Sequence, residues 1–169
     1  MTTLTDDFSA LFRAEHRDVR DALLDLIDAF RDRDRDRIET LLGRVATLTG
    51  PHFRYEEESL YPSLTGIFEE SYVEYLYEAH DGAIARAREL VALAGRETLT
   101  DDDVAAAVHA IREILPHVSD CDGLSVMVEV LPEASVRNIL ATRDRTNELG
   151  LDLLTWADTA RSRPAVPHA

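Results

Sequence analysis

Apolar residues recur at steps of three and four along almost the whole chain, and this restricts the fold more than any other feature. In "DDFSALFRAEHRDVRDALLDLIDAF", Phe8, Leu11, Phe12, Val19, Leu23, Leu24, Ile27 and Phe30 fall at helical spacing. Thr5 or Asp6 can cap this stretch. "RDRDRDR" at 31–37 reads as a solvated turn, and "DRIETLLGRVATLT" as a second helix running to Gly50-Pro51. A third helix, "EESYVEYLYEAHDGAIARARELVALAG", ends at Gly95. A fourth opens after Thr100, meets Pro116 and resumes beyond it. "PEASVRNILATRDRTNELGLDLLTWADTA" predicts a fifth helix with Pro132 at its start, where proline is tolerated. No segment of length alternates with period two. The expected fold is all-α: an antiparallel up-down four-helix bundle over 1–131, a fifth helix over 132–163 packed on it in the same domain, and a flexible tail over 164–169.

The 169 residues suit one domain with a real core. The net charge is -15, with 33 acids against 18 basic residues, all of them arginine. Such a surface repels phosphate backbones and anionic membranes, so neither nucleic acid nor membrane is expected as a partner. No apolar run reaches membrane-spanning length, and the first residues lack the pattern of a signal peptide. The single cysteine, Cys121, excludes an intrachain disulfide framework. A cytoplasmic location is expected.

The chemistry concentrates in four histidines. His16 and His52 lie 36 positions apart, and His80 and His117 lie 37 apart. Each pair spans one helical hairpin, and the second histidine of each follows a proline, Pro51 or Pro116. Those prolines are expected to kink their helices and aim the histidines inward. An up-down bundle brings one face of each helix to a common axis, so the four imidazoles can converge. Glu56, four residues after His52, shares its helical face. In the second half the position four after His117 is Cys121, flanked by Asp120 and Asp122. Imidazole with carboxylate suits iron, manganese or zinc, and open positions favour iron. The blander readings are a solvated face for Glu57 and Glu58, packing for Tyr55 and Tyr77, and a small buried hydrophobe for Cys121. His109 lies two turns before His117 and is set aside.

In "EH" at 15–16, "HFRYEEESLYP" at 52–62, "EAH" at 78–80 and "HVSDCD" at 117–122, the chain resembles the hemerythrin-like, or HHE cation-binding, proteins over roughly residues 5–131. The resemblance implies a non-haem centre of two oxo- or hydroxo-bridged iron ions, with manganese or zinc not excluded. It implies that His16, His52 and Glu56 form one half and His80, His117 and Asp122 the other, with Asp120 the rival to Asp122. Animal hemerythrins carry another histidine four residues before the third-helix one; here that position is Leu76. The departure weakens an oxygen-transport reading and leaves coordination sites for water, peroxide, NO or a substrate. The expected function is binding or reductive handling of O2, peroxide or NO. An iron or oxygen sensor, a storage module, or a diiron oxidase or oxygenase of an organic substrate are the alternatives. As an enzyme it would be peroxidase-, catalase- or oxidase-like. Self-association as a homodimer is left open.

Overall fold

The computed structural model describes residues 3–163. Its helices are α1 (Leu4–Asp32), α2 (Arg35–Tyr55), a π-helical segment (Glu56–Leu60), α3 (Tyr61–Leu64), α4 (Glu70–Ala94), α5 (Asp101–Asp122), α6 (Leu124–Met127), a 3-10 turn (Val128–Val130), α7 (Glu133–Leu149) and α8 (Leu153–Thr159). The described residues contain no strand. α1 packs against α2 and α5, and α4 against α5 and α2, which closes the expected four-helix bundle. No helix among the described residues is long and apolar enough to cross a membrane.

Local chemistry explains most boundaries. Thr3, rather than Thr5 or Asp6, caps α1, and its hydroxyl and backbone exchange hydrogen bonds with Asp6 in a capping box. Thr100 and Asp103 repeat the device at α5. The "RDRDRDR" run is mostly helical. Only Arg33, in the left-handed region at φ 53°, and Asp34, which caps α2, make the turn. Pro51 and Pro116 sit inside α2 and α5, which continue past them.

The expected fifth helix is two. Gly150 adopts φ 60° and ends α7, and Asp152 caps α8 through the Leu154 and Thr155 amides. α7 packs on α1 and α2, and α8 on α2 and α4. The turn between them presses its backbone onto Gly50, where a Cβ would lie 2.2 Å from the Leu151 carbonyl oxygen. The expected tail, 164–169, and His168 within it lie outside the described residues.

Two apolar clusters fill the bundle. One gathers Val19, Leu23, Phe30, Phe53, Ile84, Ile111 and Trp156. The other gathers Phe8, Phe12, Tyr55, Tyr61, Leu76, Cys121 and Val128. Along each of the four main helices the histidine falls where one cluster gives way to the other. The polar layer is thus shut between two low-dielectric regions, which strengthens every charge interaction inside it.

Candidate metal centre

Glu56 is the centre of the polar layer and has no exposure to solvent. It starts the π-helical segment, in which the Tyr61 N–H bonds the Glu56 carbonyl five residues back. Pro62 cannot donate to the Glu58 carbonyl, so the regular ladder is broken there. The wider turn brings Glu56 and Tyr61 onto one face, and such segments recur at functional sites. The Tyr61 hydroxyl lies 3.0 Å from His80 Nε2, 3.4 Å from Glu56 Oε2 and 3.6 Å from Cys121 Sγ. Sequence reasoning overlooked Tyr61 because an α-helix would turn it well away from Glu56.

Potential ligand atoms gather in two groups that share Glu56. His16, Glu56 and Cys121 form one, and Glu56, His80 and His117 the other, with the atoms of each within 4.8 Å of one another. His52 joins the first: its Nε2 is 3.3 Å from His16 Nε2 and 3.3 Å from Glu56 Oε1. The structure thus brings together His16, His52, Glu56, His80 and His117. It does not bring in Asp122. That side chain is 46% exposed, and its Oδ1 comes no nearer than 4.0 Å to His16 Nδ1, the ring nitrogen turned away from the cluster. α5 stays helical through Asp122, so the fourth residue after His117 shares its face and the fifth is rotated off it. Cys121, fully buried, holds that place, with Sγ 3.5 Å from His117 Nδ1. Asp120 accepts from Tyr75 at the surface, and His109 pairs with Glu113 there. Leu76 is buried in the apolar cluster beside Cys121 and offers no donor.

The outer nitrogens of three imidazoles are pinned. His16 Nδ1 donates to the Phe12 carbonyl at 2.9 Å, His52 Nδ1 to Glu15 Oε2 at 2.8 Å and His80 Nδ1 to Glu57 Oε1 at 2.8 Å. That assignment, made from the acceptors, leaves each Nε2 facing inward. Tyr55 donates to Glu15 at 2.8 Å, and Tyr77 to the Glu57 carbonyl at 3.2 Å. Glu57 is therefore buried and bonded rather than solvated, whereas Glu58 pairs with Arg54 and Arg145 outside. Glu15 and Glu57 were legible only as acids beside a motif residue; nothing in the spacing marked them as partners of His52 and His80.

Charge is distributed unevenly over the four rings. Burial opposes the charged form of His52, but the Glu56 charge and the Glu15 hydrogen bond outweigh it and raise the pKa to about 10. Burial and the neighbouring His52 charge lower His16 to about 4, and burial with His80 lowers His117 to about 3. Burial resists ionisation of Glu56, yet the charge and hydrogen bond of His52 and those of His80 hold it well below the usual carboxylate range. Burial, then the Glu56 charge, push the Cys121 thiol well above its ordinary value. Short contacts join the inward-facing atoms: His80 Nε2 lies 3.0 Å from Glu56 Oε2, and His52 Nε2 3.3 Å from His16 Nε2. Glu56 Oε1 is shielded from solvent and makes no well-aligned hydrogen bond; among the described residues its one cationic neighbour is His52 Nε2, 3.3 Å away. A buried oxygen of that kind is costly unless a cation meets it, so the donor set suits a metal ion.

An apolar cavity of about 50 Å³ abuts His16, His52 and His117 and is lined beyond them by Leu23, Leu26, Leu90 and Leu154. One water-sized molecule needs roughly 10–15 Å³, so the cavity has room for a few small molecules beside the rings.

Buried histidines from four helices around one carboxylate define a metal-binding helical bundle. The hemerythrin HHE cation-binding domain model matches residues 7–120, about two thirds of the chain, and the protein belongs to that family. Comparisons with curated proteins and with solved structures give no significant match.

Proposed function

We propose that the chain holds two iron ions about Glu56 and uses them to bind or reduce O2, peroxide or NO. The observation that carries this reading is the fully buried Glu56 carboxylate, common to both groups of donor atoms. His16, His52 and Cys121 would serve one ion, and His80 and His117 the other. Bound iron would supply electrons and open coordination positions for a small oxidant. The chain's own residues do the rest. Phe12, Glu15 and Glu57 orient the rings, and the Tyr61 hydroxyl stands beside Glu56 and His80 as a hydrogen-bond donor to a bound molecule. The two apolar clusters exclude bulk water, and the apolar cavity beside His16, His52 and His117 would give a small uncharged ligand a place next to the centre.

Metal analysis of protein purified under low oxygen should give two iron ions per chain. Glu56→Ala should abolish binding at both positions, because both share that carboxylate. Mixing the reduced, iron-loaded protein with O2, peroxide or NO should change its optical spectrum within stopped-flow times. One ion or none after reconstitution with excess iron would refute the two-ion centre; an unchanged spectrum would refute the proposed ligands.

A further inference from the structure

Two of the pinned histidines are backed by more than a carboxylate. His52 leans on Glu15, and the other Glu15 oxygen accepts from Arg143 Nε at 2.6 Å. His80 leans on Glu57, whose two oxygens accept from Arg161 Nε at 3.0 Å and Nη2 at 2.7 Å. Arg143 comes from α7 and Arg161 from just beyond α8, both outside the matched family region. Two separate elements therefore deliver the same sequence of groups, arginine to carboxylate to histidine, to the two sides of the centre.

Neither arginine is an ordinary surface charge. The Arg161 side chain has no exposure, reaches Asp81 Oδ1 with Nη1 at 2.7 Å and lies over the Trp156 ring at 5.6 Å. Arg143 is only 19% exposed. Burying a guanidinium is costly, and the exposed arginines of this acidic chain show that solvent was available to it. A two-point fork fixes a carboxylate in direction as well as charge. A fixed carboxylate fixes the Nδ1–H tautomer and the aim of Nε2, and the guanidinium offsets the carboxylate charge that the ring would otherwise pass to the metal.

We propose that Arg143 and Arg161 are positioning residues of the metal centre, so that α7 and α8 complete the site as well as covering the bundle. The inference rests on the metal-binding reading above.

The test is Co(II) binding to the metal-stripped full-length chain, with Kd read by competition against a chelator and the stability of the metal-free protein followed by circular dichroism. Arg161→Gln and Arg143→Gln should each weaken binding by about 10–100-fold, the usual cost of losing a partner behind a ligand. If Arg161 acts through Glu57, then in a Glu57→Gln background Arg161→Gln should change Kd by less than about 3-fold, since partners in one chain of contacts are not additive. Arg161→Lys, which keeps the charge but loses the fork, should fall between wild type and Arg161→Gln. Single variants within about 3-fold of wild type would overturn the proposal, as would losses that multiply in the double variant. If Arg161→Gln does not fold, the partly exposed Arg143 supplies the same cycle with Glu15→Gln. A wild-type chain that binds no Co(II) would overturn the metal reading itself, whereas a binding wild type with unaffected variants would overturn this inference alone.

Discussion

Lowering the pH of the metal-free protein from 7 to 4.5 should destabilise it steeply. His16 and His117 have native pKa values of about 4 and about 3, set first by burial and then by the charges of His52 and His80 respectively. In the unfolded chain each returns to about 6.5. Between those values the unfolded state binds protons that the native state refuses, so stability is full above pH 6.5 and falls as the pH drops. Each ring contributes up to about 1.4 kcal/mol per pH unit, and the two together about 5 kcal/mol between pH 6.5 and 4.5. That loss is comparable with the entire stability of many small domains. His52 acts in the opposite sense. Its pKa is raised to about 10 by Glu56 and Glu15 against the penalty of burial, so its contribution is full below pH 6.5 and lost as the pH rises through 10. The metal-free fold should therefore be most stable near neutrality. Urea unfolding followed by circular dichroism, with a chelator present, at pH values from 4.5 to 10 measures the curve. A stability that changes by less than about 1 kcal/mol between pH 7 and 4.5 would refute the assignment of His16 and His117 as neutral rings in the native state.

Cys121→Ser and Asp122→Asn separate the two candidates for the sixth donor. Loaded with Co(II), the wild-type protein should show thiolate-to-cobalt absorption in the near ultraviolet, absent from Cys121→Ser and kept in Asp122→Asn; the reverse pattern would restore Asp122 as the ligand. Gly50→Ala should lower stability by about 1–3 kcal/mol, because its Cβ would meet the Leu151 carbonyl oxygen at 2.2 Å and the Leu153 amide nitrogen at 2.7 Å. Chemical denaturation reads that loss, and a neutral result would mean that the α7–α8 turn yields freely.

The sequence by itself determined the all-helical bundle, because apolar steps of three and four bury one face of each helix and nothing else. It also determined that His16, His52, Glu56, His80 and His117 would meet. Matched spacing in two hairpins puts them at one depth, and the antiparallel bundle does the rest. Three matters were decided only in three dimensions. That Cys121 rather than Asp122 faces the layer hangs on whether α5 stays helical for one more residue, a rotation of about 100° that no spacing rule settles. Tyr61 enters the layer through the π-helical turn, which a regular 3.6-residue period does not anticipate. The break at Gly150–Asp152 makes two helices of the expected fifth. It carries Arg161 back to Glu57, more than a hundred positions away in the chain. Local periodicity shows which face of a helix is buried, but the partner of a buried charge depends on how distant segments dock, because only desolvation at the finished interface makes that pairing necessary.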